Sequence, residues 1–406
     1  MLYNKIWGQA VNKTHTKGGS LVILIKNGKI LSMTNKDYDR GSILVDNGKI
    51  LAIGDSVEAP ADAIVIDAEG KIVMPGMIDA HCHLGMWEDS IGFEGDDGNE
   101  MTDPVTPQLR AIDAINPMDK TFEEAREGGI TTVCTGPGSA NVIGGTFVTI
   151  KTYGKRIDDM IIKNPAAMKI AFGENPKRVY SEKKQSPSTR MATAAILREQ
   201  IMKAKAYKEK LEKAKNDPDK KPEFDIKMEA LLKVLNKEIP FKAHAHRADD
   251  IFTAIRIANE FDLDITLDHC TEGHLIADEL AKEGKYVISG PHMTERSKYE
   301  LKNKAFESPV ALWKAGVKFC IMTDHPVIPI QHLPICAGFV AKEGLDEMEA
   351  LKAITIYAAE ILGIADRVGS LEVGKDADIV IFDSHPFNTT SKTQAVLING
   401  EIVFQK

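Results

Sequence analysis

Val73-Met74-Pro75-Gly76-Met77-Ile78-Asp79-Ala80-His81-Cys82-His83 is the stretch on which the reading of this chain turns. It is an apolar run that closes on two histidines at i and i+2. In extended backbone alternate side chains project from one face, so both imidazoles can reach one ion while Cys82 points away into packing. An HxH pair alone does not define a site. Outward along the chain, other short apolar runs also end in metal-capable side chains. Phe241-Lys242-Ala243 precedes His244, Ile265-Thr266-Leu267-Asp268 precedes His269, and Cys320-Ile321-Met322-Thr323 precedes Asp324.

These runs fall in a segment, 75–367, where short apolar stretches alternate with amphipathic ones such as Thr121–Glu127, Asp250–Phe261, His274–Glu283 and Pro309–Ala315. Such alternation predicts βαβ units around a parallel sheet. Roughly eight repeats in about 290 residues suit a closed (β/α)8 TIM barrel, an α/β fold. Residues 187–236 depart from the rhythm. They are Lys- and Ala-rich, helical in period and interrupted at Asn216-Asp217-Pro218-Asp219, which reads as a solvated helix–loop–helix on the outside of the barrel.

The flanks, 21–74 and 368–406, are β-patterned. Asn27-Gly28, Asn47-Gly48 and Asn399-Gly400 each sit among alternating apolar residues. Asn-Gly there predicts a hairpin, because a type I′ turn needs positive φ at both central positions. An isolated hairpin is only marginally stable, so the two termini are expected to build one small β-sandwich domain together. Residues 1–20 are polar and aperiodic and read as a leader outside the fold.

The chain has 406 residues, 43% hydrophobic and 27% charged, with a formal net charge of −8. Those proportions exclude disordered, collagen-like and coiled-coil proteins, and the acidic balance argues against nucleic acid as a partner. No apolar run reaches the roughly 18–20 residues of a membrane helix. Five cysteines without CxxC spacing argue against a disulfide framework and for a reducing cytoplasm. A small-molecule substrate is the expected partner, and a homo-oligomer is left open.

In a barrel the carboxyl ends of all strands converge on one face. His81, His83, His244, His269 and Asp324 would then share a single pocket. Imidazole and carboxylate together suit Zn²⁺, with Fe²⁺ or Mn²⁺ as alternatives. A bound ion makes water nucleophilic near neutral pH. Asp324 would take the proton and return it to a leaving nitrogen, and a neighbouring histidine such as His269 would stabilise the oxyanion. Substrate contacts are open between readings. The Gly-rich stretch 136–146, including Gly145, either presents backbone N–H groups to a substrate or makes a tight connection. Arg190 and Arg247 are either a carboxylate clamp or surface ion pairs. His246 either faces substrate or supports a ligand. His274, His292 and His325 are candidates for the rim, and His15, His332 and His385 carry no assigned role.

The segment Val73–His83 resembles the signature of the amidohydrolase superfamily. The tail agrees, from Ala353-Ile354-Thr355 through Gly369-Ser370-Leu371-Glu372-Val373-Gly374-Lys375-Asp376-Ala377-Asp378. Within the superfamily the chain is most similar to imidazolonepropionase-like and prolidase-like enzymes. The resemblance implies a metal-bearing barrel holding one or two divalent ions. His81 and His83 become first-strand ligands, His244 the fifth-strand ligand and His269 the sixth, with Asp324 the eighth-strand ligand and general base. A two-metal relative bridges its ions through a carboxylated lysine or a glutamate of the fourth strand, which points to Lys169 or Glu174. Glu174 is preferred because it needs no modification and sits where the strand should end.

The function implied is metal-dependent hydrolysis of a C–N bond in a cyclic amide, amidine or dipeptide-like substrate. Deamination of a heterocyclic amine is the alternative. Superfamily deaminases usually carry a separate glutamate near the fifth strand, and the segment around His244 has none. A catalytically silent scaffold is the third reading; it is disfavoured because competent residues fill the ligand positions.

Overall fold

A computed structural model describes residues 22–89 and 92–406. The leader expected at 1–20 therefore lies outside the described residues. In chain order the first strands are β1 (Ile23–Ile30), β2 (Tyr38–Asp46), β3 (Lys49–Gly54), β4 (Ile64–Asp67), β5 (Ile72–Pro75), β6 (Met77–Cys82), β7 (Ile130–Thr135) and β8 (Ile143–Lys151). They are followed by β9 (Ile161–Ala171), β10 (Phe241–Ala245), β11 (Ile265–His269), β12 (Tyr286–Ser289), β13 (Phe319–Ile321), β14 (Ile379–Phe382), β15 (Thr393–Ile398) and β16 (Glu401–Gln405). The chain divides into two compact units. One takes the residues up to Met77 together with Gly363–Lys406, and the other is Ile78–Leu362.

The terminal unit is one eight-stranded sheet, ordered β16-β15-β14-β5-β1-β2-β3 with β4 also paired to β1. Strand β1 is where the sheet forks: its first half pairs with β4 and its end with β5, both parallel. Asn47-Gly48 closes the β2–β3 hairpin with φ of 49° and 74°, and Asn399-Gly400 closes β15–β16 with 49° and 76°. Asn27-Gly28 is different. It lies inside β1, which runs straight through it, and the pairing with β2 shifts register there. The Asn27 side chain donates to both carboxylate oxygens of Asp67 at 3.0 Å, so the dipeptide marks a bulge anchored on β4 rather than a turn. Alternating residues of these strands, including Ile23, Ile25, Ile43, Val45, Val73, Ile379, Ile381 and Leu397, form the core of the unit.

The second unit carries the other eight-stranded sheet, ordered β13-β12-β11-β10-β9-β8-β7-β6, a nearly closed barrel. Strands β9 to β13 run parallel as expected. Strand β8 runs antiparallel to both β7 and β9, which departs from a uniformly parallel ring. Its flanking connections, 136–142 and 152–160, are shorter than the dozen or more residues a parallel crossover needs. Between the end of β13 and β6, Asp79 joins the two edges. One of its carboxylate oxygens accepts from the Thr323 N–H at 3.0 Å and the Thr323 hydroxyl at 2.5 Å, and the other accepts from the His81 N–H. The His83 N–H donates to the His325 carbonyl at 2.8 Å across the same seam.

The expected outer helix–loop–helix is present as helices Arg190–Ala214 and Ile226–Leu235, started by the side chains of Thr189 and Asp225. Among the described residues no helix is long and apolar enough to cross a membrane.

Leu397 is fully buried in the core of the terminal unit. Leu397→Ala is expected to destabilise that unit by about 2–5 kcal/mol, read as a lower urea midpoint by circular dichroism.

Candidate metal centre

Below the mouth of the barrel lies a buried layer of charge. Asp268 on β11 is fully buried; its Oδ1 accepts from Lys242 Nζ at 3.0 Å, and the same ammonium donates to the Ala80 carbonyl at 3.0 Å. Asp268 Oδ2 lies 2.9 Å from His81 Nδ1 and 3.7 Å from Lys169 Nζ. Burial pushes the Asp268 carboxyl up, but Lys242, His81 and Lys169 outweigh it and hold the group far below the usual carboxylate range. Burial brings the His81 imidazole down to about 4, with Lys169 adding to the shift. Lys169 is brought down to about 8, again by burial, against the pull of Asp268. Its Nζ is buried and has no hydrogen-bond partner.

Above this layer the strand ends bring the metal-capable groups together. His81 Nε2 and His83 Nε2 lie 3.4 and 3.3 Å from Asp324 Oδ1. Ligand atoms of His81, His269 and Asp324 all lie within 4.8 Å of one another, and so do those of His244, His246 and His269. The two triads share His269. Its backbone has φ of 71°, and Asp324 has 56°, so the chain turns sharply where these side chains enter the site. Backbone carbonyls fix two of the rings: His83 Nδ1 donates to Gly136 O at 2.7 Å and His269 Nδ1 to Gly290 O at 2.9 Å, which leaves each Nε2 facing the site. Trp87 packs edge-on against His83 with ring centroids 4.6 Å apart. Burial holds His244, His246 and His269 below the ordinary imidazole range, and neighbouring imidazoles add to this at His246 and His269. Asp324, which burial alone would raise, is held well below the carboxylate range by His269, His81 and His83.

Neutral imidazoles around an ionised carboxylate are the donor set a divalent cation requires. Two buried ring nitrogens, His81 Nε2 and His244 Nδ1, have no hydrogen-bond partner here. Clustered orphan atoms of this kind are rare in a folded interior unless something else satisfies them. The residues fit a bound ion.

Four expected site residues stand elsewhere. Glu174 is the first residue of the helix Glu174–Glu182, past the end of β9, and is not among the residues lining the cavity, whereas Lys169 is. Strand β9 ends before Glu174, and of the two it is the Lys169 side chain that reaches the cavity. Arg190 is bound to Asp250 through Nε at 2.9 and 3.1 Å and lines a separate cavity of about 350 Å³. Arg247 pairs with Asp249 at 2.8 and 2.9 Å. Both guanidiniums are spent on local carboxylates. Gly145 lies within β8 with φ of 115°, and a Cβ there would stand 2.6 Å from the Leu109 carbonyl, so its role is close backbone approach. His274, His292 and His325 do not line the cavity either.

The cavity over the histidines has a volume of about 610 Å³. Its cations are Lys169, Arg178 and Lys298. Asn175 ties its wall together, donating to Ser139 Oγ at 2.7 Å and accepting from Lys298 Nζ at 2.7 Å. Motif reading missed Asp268, Asn175, Lys298 and Glu300. For Asp268 a signal was present, since it immediately precedes His269; for the others nothing local marks them.

Residues 72–403 match the amidohydrolase family, and the chain belongs to it. Its fold superimposes with a TM-score of 0.92 on an amidohydrolase from Thermotoga maritima, 45% identical and covering 95% of this chain and 100% of that one. Amidohydrolase tasK of Hapsidospora irregularis is 29% identical over 98% of this chain, which spans 44% of the length of that protein. The imidazolonepropionase of Symbiobacterium thermophilum is 25% identical over 85% of this chain and 84% of its own length.

Lys242→Met removes the cation that meets both Asp268 Oδ1 and Ala80 O, leaving a buried carboxylate short of a partner. A loss of about 3–5 kcal/mol is expected, measured as a fall in the unfolding midpoint.

Proposed function

We propose that the protein hydrolyses a C–N bond in a small amide, cyclic amide or amidine at a centre of one or two divalent ions, Zn²⁺ first. The observation that carries this reading is the pair of triads sharing His269, with the Lys169 amine buried beside them and making no hydrogen bond. His81, His83, His269 and Asp324 would hold one ion, and His244 with His269 the space for a second. Lys169 Nζ lines the same space, and if it were carboxylated by CO2 with loss of a proton it would add oxygen ligands to this donor set.

Such an ion supplies a nucleophilic water near neutral pH and polarises the carbon under attack. The chain's own groups do the rest. A carboxylate oxygen of Asp324 accepts the proton released from the attacking water and returns it to the leaving nitrogen. The depressed range of Asp324 keeps it in the accepting form at neutral pH. His83 and His269, locked by carbonyl acceptors on Nδ1, stay in one tautomer through the cycle. Asn175, Ser139, Lys298 and Arg178 line the wall against which a polar substrate is oriented.

Deamination on the same scaffold needs a proton-transferring glutamate open to substrate. The structure brings Glu300 to 3.8 Å from His244 Nε2, but that carboxylate is 1% exposed and is not among the cavity-lining residues, so attack on an amide or amidine carbon is the better fit.

Asp324→Asn should lower kcat by about 10²–10⁴-fold, the span general acid–base groups contribute, while metal content by elemental analysis stays within a factor of two. Near-normal turnover in that variant removes Asp324 from proton transfer. Lys169→Met is expected to reduce the bound metal per chain and to lower thermal stability, because an ion that binds only the folded state stabilises it. Unchanged metal content in Lys169→Met rules out the bridge. Absence of bound divalent ion in wild-type protein purified under metal-replete conditions overturns the whole reading.

A further inference from the structure

The helix Glu174–Glu182 follows β9 and carries three residues of the cavity wall, Asn175, Arg178 and Val179. Their spacing of i, i+3 and i+4 places them on one helix face. Asn175 begins that face at the metal centre, with Nδ2 3.5 Å from His244 Nε2. Arg178 stands one turn further along, about 4.5 Å down the axis. The other face is fixed: Tyr180 is fully buried, and its hydroxyl donates to Asn141 Oδ1 at 2.6 Å. The three cations of the cavity differ in what they already meet. Lys169 Nζ lies 3.7 Å from Asp268, and Lys298 Nζ donates to Asn175 Oδ1 at 2.7 Å with Glu300 3.9 Å away. Arg178 is exposed and has no ion pair or hydrogen bond among the described residues.

The polar groups that share this wall are donors as well. Ser139 Oγ accepts from Asn175 Nδ2 at 2.7 Å, so its own proton is left for an acceptor in the cavity. Asn99 Oδ1 accepts from the Ala140 N–H at 3.0 Å, which leaves the Asn99 amide nitrogen to donate. Both side chains line the cavity. Apart from Asp324, the carboxylates of the cavity are Glu88 and Asp89, from the loop after β6, three strands from β9 around the barrel. Glu88 accepts from Asn116 Nδ2 at 2.8 Å. One side of the cavity thus offers N–H and O–H groups and a full positive charge, while its own acceptor oxygens are already engaged. Such a wall suits a group that only accepts. An ionised carboxylate is one, and its two oxygens match the parallel N–H bonds of a guanidinium.

We infer that the substrate carries a carboxylate, and that Arg178, with the Ser139 hydroxyl and the Asn99 amide, binds it one helical turn away from the metal centre while the scissile C–N bond lies over the histidines. The inference rests on the C–N hydrolysis reading given above and narrows its substrate class. Arg178 is then the residue that sets specificity: it holds a part of the substrate that does not react, and so orients the bond that does.

The test uses the full chain loaded with Zn²⁺ and a panel of dipeptides, N-acyl amino acids and carboxymethyl hydantoins, each as the free acid and as its carboxamide. In wild-type protein, kcat/KM for an acid that is cleaved should exceed that for its carboxamide by about 10–100-fold, the contribution of charged hydrogen bonds. Arg178→Gln should bring that ratio close to one, through a higher KM for the acid at nearly constant kcat. Equal kcat/KM for acid and carboxamide in wild-type protein overturns the inference without any variant and leaves the C–N reading standing. An Arg178→Gln protein that keeps the ratio, or that slows both forms by the same factor, also overturns the inference alone. A wild-type protein that binds Zn²⁺ but cleaves neither form of any member of the panel overturns the C–N reading, and the inference with it.

Discussion

Asp268 is a carboxylate held entirely out of water, and the floor of the barrel is organised around keeping it there. An isolated charge in that position costs many kcal/mol unless paired and hydrogen-bonded. Lys242 takes one oxygen, while His81 and Lys169 lie against the other. The consequences reach upward. His81 is turned so that Nδ1 faces Asp268 and Nε2 faces Asp324. Lys169 is drawn inward on β9, where burial weakens its hold on a proton and leaves its nitrogen without a hydrogen bond. One buried anion thus orients a histidine of the first barrel strand and draws a lysine of β9 inward.

Rigidity at the level above comes from acceptors that cannot move. Gly136 and Gly290 carbonyls hold His83 and His269. The site is therefore prepared before anything enters it, which is how an electrostatic centre avoids reorganisation during a reaction. The seam beside β6 serves the same end. Asp79 bonds to Thr323, the residue before Asp324, so the carboxylate of the eighth strand is placed by the first.

Local chemistry explains which expectations held. Asn47-Gly48 and Asn399-Gly400 close hairpins because a type I′ turn depends on its two central residues and the strands beside them. Asn27-Gly28 has the same letters, yet β4 and β5 both pair with β1 and stretch it into a continuous strand. His81, His83, His244, His269 and Asp324 were legible because each closes an apolar run, and a strand end is a local property. The direction of β8 was not; it follows from how far the short connections on either side can reach. Glu174 and Lys169 lie five positions apart, and only the real end of β9 decides which one faces inward. Arg190 and Arg247 carry no mark in sequence of the aspartates that occupy them.

The order of residues by itself determined that strand and helix would alternate through the middle of the chain, that the termini would form a sheet of their own, and which side chains would cap the strands. Those features depend on neighbours within a few positions. Only the tertiary structure decided which nitrogens His83 and His269 turn to the cavity, which lysines are stripped of water, and which aspartates take up Arg190 and Arg247. Protonation and orientation are set by the charges and acceptors within a few ångströms, and in a barrel these arrive from strands and loops far apart in the chain.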